Sequence, residues 1–175
     1  MTVDAIIPRV FLLGMMGVGK STVGKPLASL LGWPYLDNDV LLAEREGKGL
    51  LEVAAMGAEV LHADEASIAL ELCRRPPHFV ASLAASVVES SECRSRLHQD
   101  GFAVYLRASP EVLAARTAKS SKRPWLDTDP QAWFASVLAQ REPGYLETAH
   151  LVADVDRDDP GLVAQRIALA VSAQE

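Results

Sequence analysis

The chain has 175 residues, 49% of them hydrophobic and 23% charged, with 23 Asp and Glu against 17 Lys and Arg for a formal net charge of −6. That length and apolar content suit one core and a single domain over residues 1–175, while the acidic balance offers nucleic acid no general attraction. No run approaches about 18 apolar residues, the first residues show no signal-peptide pattern, and Cys73 and Cys93 lack disulfide-framework or metal-ligand spacing. The expectation is a cytoplasmic monomer with buried or free thiols and with neither nucleic-acid nor membrane partners.

The first apolar run, Val10-Phe11-Leu12-Leu13, reads as a strand. It leads directly into Gly14-Met15-Met16-Gly17-Val18-Gly19-Lys20-Ser21-Thr22, the G-x-x-x-x-G-K-[ST] spacing of a phosphate-binding loop. Gly14, Gly17 and Gly19 lack a Cβ, so the backbone can take positive φ and turn successive N–H groups, that of Val18 included, toward an oxyanion. Lys20 reaches β- and γ-phosphate oxygens as a mobile point charge, Ser21 offers Mg²⁺ a hard hydroxyl oxygen, and Thr22 falls near the α-phosphate. Val23, Leu27, Leu30 and Leu31 then recur on one face, which predicts a helix over 20–31 ended by Gly32 and pointing its positive end at the phosphates. An ordinary strand-to-helix turn with a solvated lysine is the plainer alternative, but it does not require every position of the motif.

Further strands are expected over 34–36, 78–83, 102–106 and 150–154, and further helices over 39–45, 50–56, 59–72, 91–99, 110–118, 131–144 and 161–172. This alternation predicts an α/β fold, a parallel sheet between helices, with ligands beyond the carboxyl ends of the strands. Asp37-Asn38-Asp39 follows the second strand. Carboxylates at i and i+2 of an extended segment share a side, so Asp37 is a candidate to act on Mg²⁺ through its waters. Asp39 is a candidate to accept a hydrogen bond from the hydroxyl to be phosphorylated. Capping of the next helix by Asp37 or Asn38 is the open alternative. Lys119-Ser120-Ser121-Lys122 reads as part of a lid over about 116–130, with Trp125 and Trp133 as packing residues at its end. His78, His98 and His150 have no metal-ligand spacing, and structural roles are expected for them.

The phosphate loop, Leu36-Asp37-Asn38-Asp39 and Glu44-Arg45-Glu46-Gly47-Lys48-Gly49 together resemble the shikimate kinase family. The resemblance implies a three-layer α/β/α domain with a five-stranded parallel sheet, of the nucleoside-monophosphate-kinase-like group of phosphate-loop folds. It also implies ATP and Mg²⁺ as cofactors and a small hydroxy-acid substrate. Arg123-Pro124-Trp125-Leu126 is similar to the family's lid, so the resemblance gives Arg123 the role of closing over the ATP phosphates. Arg141, in Gln140-Arg141-Glu142-Pro143-Gly144-Tyr145, takes the role of gripping the substrate carboxylate, for which a guanidinium fork is well matched. Arg157, in Asp156-Arg157-Asp158-Asp159-Pro160, takes that of packing against adenine. Surface ion pairs are the alternative for all three arginines.

Two stretches depart from the family pattern. In Leu61-His62-Ala63-Asp64-Glu65, His62 stands where the family has a second carboxylate-gripping arginine, and an imidazole is shorter and lacks the fork. After the third strand, Ala84-Ala85-Ser86 replaces a glycine triplet, and three Cβ atoms narrow the pocket or reshape the turn. Both changes fall on the acceptor wall. The expected protein is an ATP-dependent kinase transferring a γ-phosphoryl group to shikimate or a related hydroxy acid. A gluconate-type sugar-acid kinase and a non-catalytic ATP-binding protein remain the alternatives.

Overall fold

The computed structural model describes residues 8–118 and 129–174. Strands β1 (Arg9–Leu13), β2 (Tyr35–Asp37), β3 (Phe79–Ser82), β4 (Phe102–Arg107) and β5 (Leu151–Asp154) form one sheet in the order β2-β3-β1-β4-β5. Every pairing is parallel, with Leu12 opposite both Ser82 and Val104. The helices are α1 (Lys20–Leu31), α2 (Asn38–Glu46), α3 (Leu50–Ala54), α4 (Ala58–Arg74), α5 (Ser91–Asp100), α6 (Pro110–Thr117), α7 (Pro130–Thr148) and α8 (Pro160–Ser172). None among the described residues is long and apolar enough to cross a membrane. From β1 the chain turns to one side for β2 and β3, then crosses over to β4 and β5. The two winding directions part at the carboxyl end of β1, where such sheets bind ligands.

All five residues of β1 are buried, as a central strand covered on both faces requires. Arg9 opens it, donating from Nε to Arg75 O (2.9 Å) and from Nη1 to Asp100 O (2.9 Å). One buried guanidinium thereby satisfies carbonyls at the carboxyl ends of α4 and α5. Cys73 and Cys93 are buried free thiols, and burial pushes the Cys73 thiol up to about 12.

Three elements depart from the sequence expectations for identifiable physical reasons. Leu30 of α1 is 54% exposed, and the helix instead buries Val23, Gly24, Leu27 and Ala28. A Cβ on Gly24 would lie 2.6 Å from the Tyr35 ring and 2.9 Å from Leu12 Cδ1, so close approach at the glycine rotates the buried stripe away from Leu30. Helix α7 continues through Pro143 and Gly144 to Thr148. Tertiary contacts outweigh the breaker signal: Tyr145 is fully buried, its hydroxyl donates to Ala85 O (2.7 Å), and Thr148 Oγ1 donates to Gly144 O (2.7 Å). A 3-10 turn over Val87–Glu89, unanticipated from the sequence, follows β3.

Candidate active site

Gly14, Gly17 and Gly19 have φ of 142°, 79° and 100°, a region L side chains rarely enter. A Cβ on Gly14 would meet Leu106 O at 2.6 Å, and one on Gly17 would meet Thr117 Cγ2 at 2.6 Å. The loop is thus pressed between β4 and α6 at a separation only glycine allows. Helix α1 begins at Gly19 with neither a side-chain cap nor an acidic residue in its first turn. Its positive end is thereby left for an anion. Lys20 folds back over the loop, with Nζ 2.8 Å from Gly14 O and 3.1 Å from Met15 O. Ser21 and Thr22 are exposed at the mouth.

Beside the loop lies a cleft of about 340 Å³ whose lining includes Val18, Thr22, Arg116, Val155, Asp158 and Pro160. Arg116 is a residue that sequence reasoning missed. It donates from Nη1 to Val18 O (3.0 Å) and from Nη2 to Val155 O (2.6 Å), joining the phosphate loop to the turn after β5. Arg157 is exposed on that turn and is not among the residues lining the cleft. Arg123 and Trp125 lie outside the described residues, as does most of the expected lid, while Trp133 packs against the core.

On the other side of the loop, Asp37 ends β2 opposite Ser82 of β3. Its Oδ1 accepts from the N–H groups of Asp39 (3.0 Å) and Val40 (3.4 Å), so the capping alternative is realised. The Tyr35 hydroxyl lies 2.7 Å from Ser82 Oγ and 3.2 Å from Asp37 Oδ2, and burial, with the Ser82 contact opposing, raises Tyr35 to about 12. Asp39 is exposed in the first turn of α2, at the edge of a second depression it shares with Ala43, Gly47, Lys48 and Gly49.

The acceptor wall gathers around Glu65 of α4. Burial raises its carboxyl above the usual range, its hydrogen bond from Ser86 Oγ opposes that, Asp39 adds to the rise, and His62 and Arg141 lower it. Asp39, His62 and Arg141 are thus all near enough to Glu65 to act on its charge. Ala84-Ala85-Ser86 turns without strain after β3: Ser86 has φ −79°, and among the described non-glycine residues only His78 has positive φ. Glu89 was also missed by the sequence reasoning. Its Oε1 accepts from Arg141 Nε (2.8 Å) and lies 2.7 Å from Arg141 Nη2, while Oε2 is 3.0 Å from His62 Nδ1.

A phosphate cradle at the switch point of a five-stranded parallel sheet, flanked by a nucleotide-sized cleft and an acid-lined pocket, defines a phosphate-loop kinase. The chain matches the family model described as Shikimate kinase over residues 16–172, and it belongs to the shikimate kinase family. It is 36% identical over 168 residues to a shikimate kinase of Halorhodospira halophila, covering 95% of this chain and 94% of the relative. A Psychrobacter shikimate kinase is 32% identical over 165 residues, 94% of this chain and 92% of the relative. Among solved structures, shikimate kinase from Acinetobacter baumannii in complex with shikimate superposes with a TM-score of 0.89 at 28% identity, covering 98% of this chain and 96% of that one. A gluconokinase from Sinorhizobium meliloti shares the fold at a TM-score of 0.56 and 23% identity, covering 97% and 94%.

Proposed function

We propose that this member of the family phosphorylates a hydroxyl of shikimate, or of a closely related polyhydroxylated carboxylic acid, at the expense of ATP. The observation that carries this reading is that Arg141 and His62 meet on one carboxylate, that of Glu89, close enough to Glu65 to act on its charge, as does Asp39. ATP lies with its phosphates in the cradle from Gly14 to Thr22 and its base toward Arg116 and Pro160, a flat guanidinium and a ring suited to flank an aromatic face. Arg157, next to Asp158 of that lining, keeps the role of packing against the base from the outer side.

The donors fit a magnesium ion: the Ser21 hydroxyl at the mouth of the loop, with Asp37 and Ser82 at the ends of the two neighbouring strands, are all hard oxygens. Among the described residues no group of three or more His, Cys, Asp or Glu could hold a metal ion. A magnesium ion held there would supply positive charge against the β- and γ-oxygens.

Asp39 accepts the hydrogen bond of the acceptor hydroxyl and aims it at the γ-phosphorus, and Lys20 draws charge from the transferred group. Arg123, which lies outside the described residues, is assigned by the family resemblance to add to that charge neutralisation. Arg141 holds the acceptor's carboxylate, with Glu65 and Ser86 fixing the floor beneath it. The test is acceptor-dependent ADP release from Mg·ATP with shikimate and gluconate in parallel, and Asp39→Asn as control. Saturable turnover with shikimate that falls about 10²-fold or more in Asp39→Asn supports the reading. Turnover with gluconate alone, or none with either acid, overturns it.

A further inference from the structure

Glu89 makes the contacts that Arg141 and His62 would otherwise offer to a substrate. Both the Nε and Nη2 atoms of Arg141 meet Glu89 Oε1, at 2.8 and 2.7 Å, and His62 Nδ1 meets Oε2 at 3.0 Å. A single carboxylate thus engages the arginine fork and the ring beside it, in the manner of a bound carboxylic acid. The Arg141 side chain is only 13% exposed, whereas that of Glu89 is 46% exposed. The cation is therefore held in the wall and the anion sits on the solvent side, the member of the pair that can leave. Glu89 ends the 3-10 turn Val87–Glu89, so rotation of its side chain disturbs no strand or long helix.

We infer that Glu89 is a specificity-determining residue: an internal carboxylate seated on the acceptor clamp, which an acid acceptor has to displace and a neutral acceptor does not. The inference rests on the reading of Arg141 as the carboxylate-holding residue. The pocket discriminates against the charge of the acid by an anion placed in its path, a repulsive device rather than a missing contact. Glu89 is a positioning residue, because it acts through Arg141 and His62 and not on the reacting atoms.

The experiment compares shikimate with its uncharged methyl ester in wild type and in Glu89→Gln, which keeps shape and removes charge. Glu89→Ala serves as a second variant that also removes the hydrogen-bonding oxygen. The ratio of kcat/KM for acid over ester is read, and the same ratio of affinities is read by titration calorimetry in the presence of Mg·ADP, so that turnover is not required. The ratio is expected to rise about fivefold in both variants, the upper range for a half-exposed ion pair, through KM for the acid and with no change in KM for ATP. An unchanged or lower ratio overturns the inference while leaving the kinase reading intact. Wild type that binds and turns over neither compound removes the kinase reading itself, and the inference with it.

Discussion

The two sides of the cleft are held by different kinds of contact. On the nucleotide side the binding groups are backbone amides, shaped by three glycines in positive φ and tied down where Arg116 joins Val18 O to Val155 O. On the acceptor side they are side chains already paired with one another: Glu65 with Ser86, and Glu89 with both His62 and Arg141. A backbone cradle changes only if the loop itself refolds. A side-chain pocket is respecified by a single substitution, because each member's charge is set by its neighbours. On the proposed reading, departures from the family pattern at His62 and Ala84-Ala85-Ser86 bear on which acceptor is used, while the phosphate loop carries the chemistry common to any acceptor.

The largest effect is expected at the loop lysine, which serves every acceptor alike. Lys20→Met should lower kcat/KM about 10³-fold with every acceptor tested, and a loss confined to one acceptor would place Lys20 on the wrong side of the division. Arg116→Ala tests the nucleotide half alone. Two hydrogen bonds and the proposed flat partner for the base disappear, so KM for ATP should rise about tenfold, with KM for shikimate unmoved when each substrate is varied in turn.

The smallest effect lies outside both halves. His150 stacks on His98 with ring centroids 4.2 Å apart, and burial first, then His98, holds its imidazole below the ordinary range. Its Nδ1 accepts the Ala103 N–H at 3.1 Å, which only the neutral ring can do. The unfolded chain therefore takes up this proton before the native one. The resulting stability is complete above pH ~6.5 and is lost as the pH falls below it. Urea unfolding at about pH 7.5 and about pH 5.5 should show His150→Asn losing less stability over that interval than wild type, by under about 1 kcal/mol. Equal losses would remove His150 as the source.

The strand-loop-helix unit was legible because its constraints are local: positive φ at fixed spacing selects glycine, and the lysine and serine must follow at once. The five parallel strands were legible for a similar reason, since their apolar runs are short and bounded. What escaped the sequence was long-range. Arg141 and Glu89 are 52 residues apart, and Arg116 and Val18 are 98 apart, and no periodicity reports either pairing. Arg116 gave one faint signal, a basic residue in the last turn of α6, which usually means no more than a favourable helix dipole. Arg157 drew attention by its loop position, yet the same loop sends Val155, Asp158 and Pro160 toward the cleft. Pro143 and Gly144 read as a helix end because their intrinsic preferences are strong, and the burial of Tyr145 overrode them.

The division between a retained nucleotide side and a rebuilt acceptor side is tested most directly by restoring the family's arginine at position 62 in the absence of the internal carboxylate. Steady-state kinetics of His62→Arg in the Glu89→Gln background, with shikimate varied at saturating Mg·ATP and then ATP varied at saturating shikimate, reads both sides in one protein. A regained charged contact of roughly 1.5–3 kcal/mol should lower KM for shikimate about ten- to a hundredfold relative to Glu89→Gln alone, with KM for ATP unchanged. A KM for shikimate that stays level or rises, or a change that falls on ATP instead, would contradict the account.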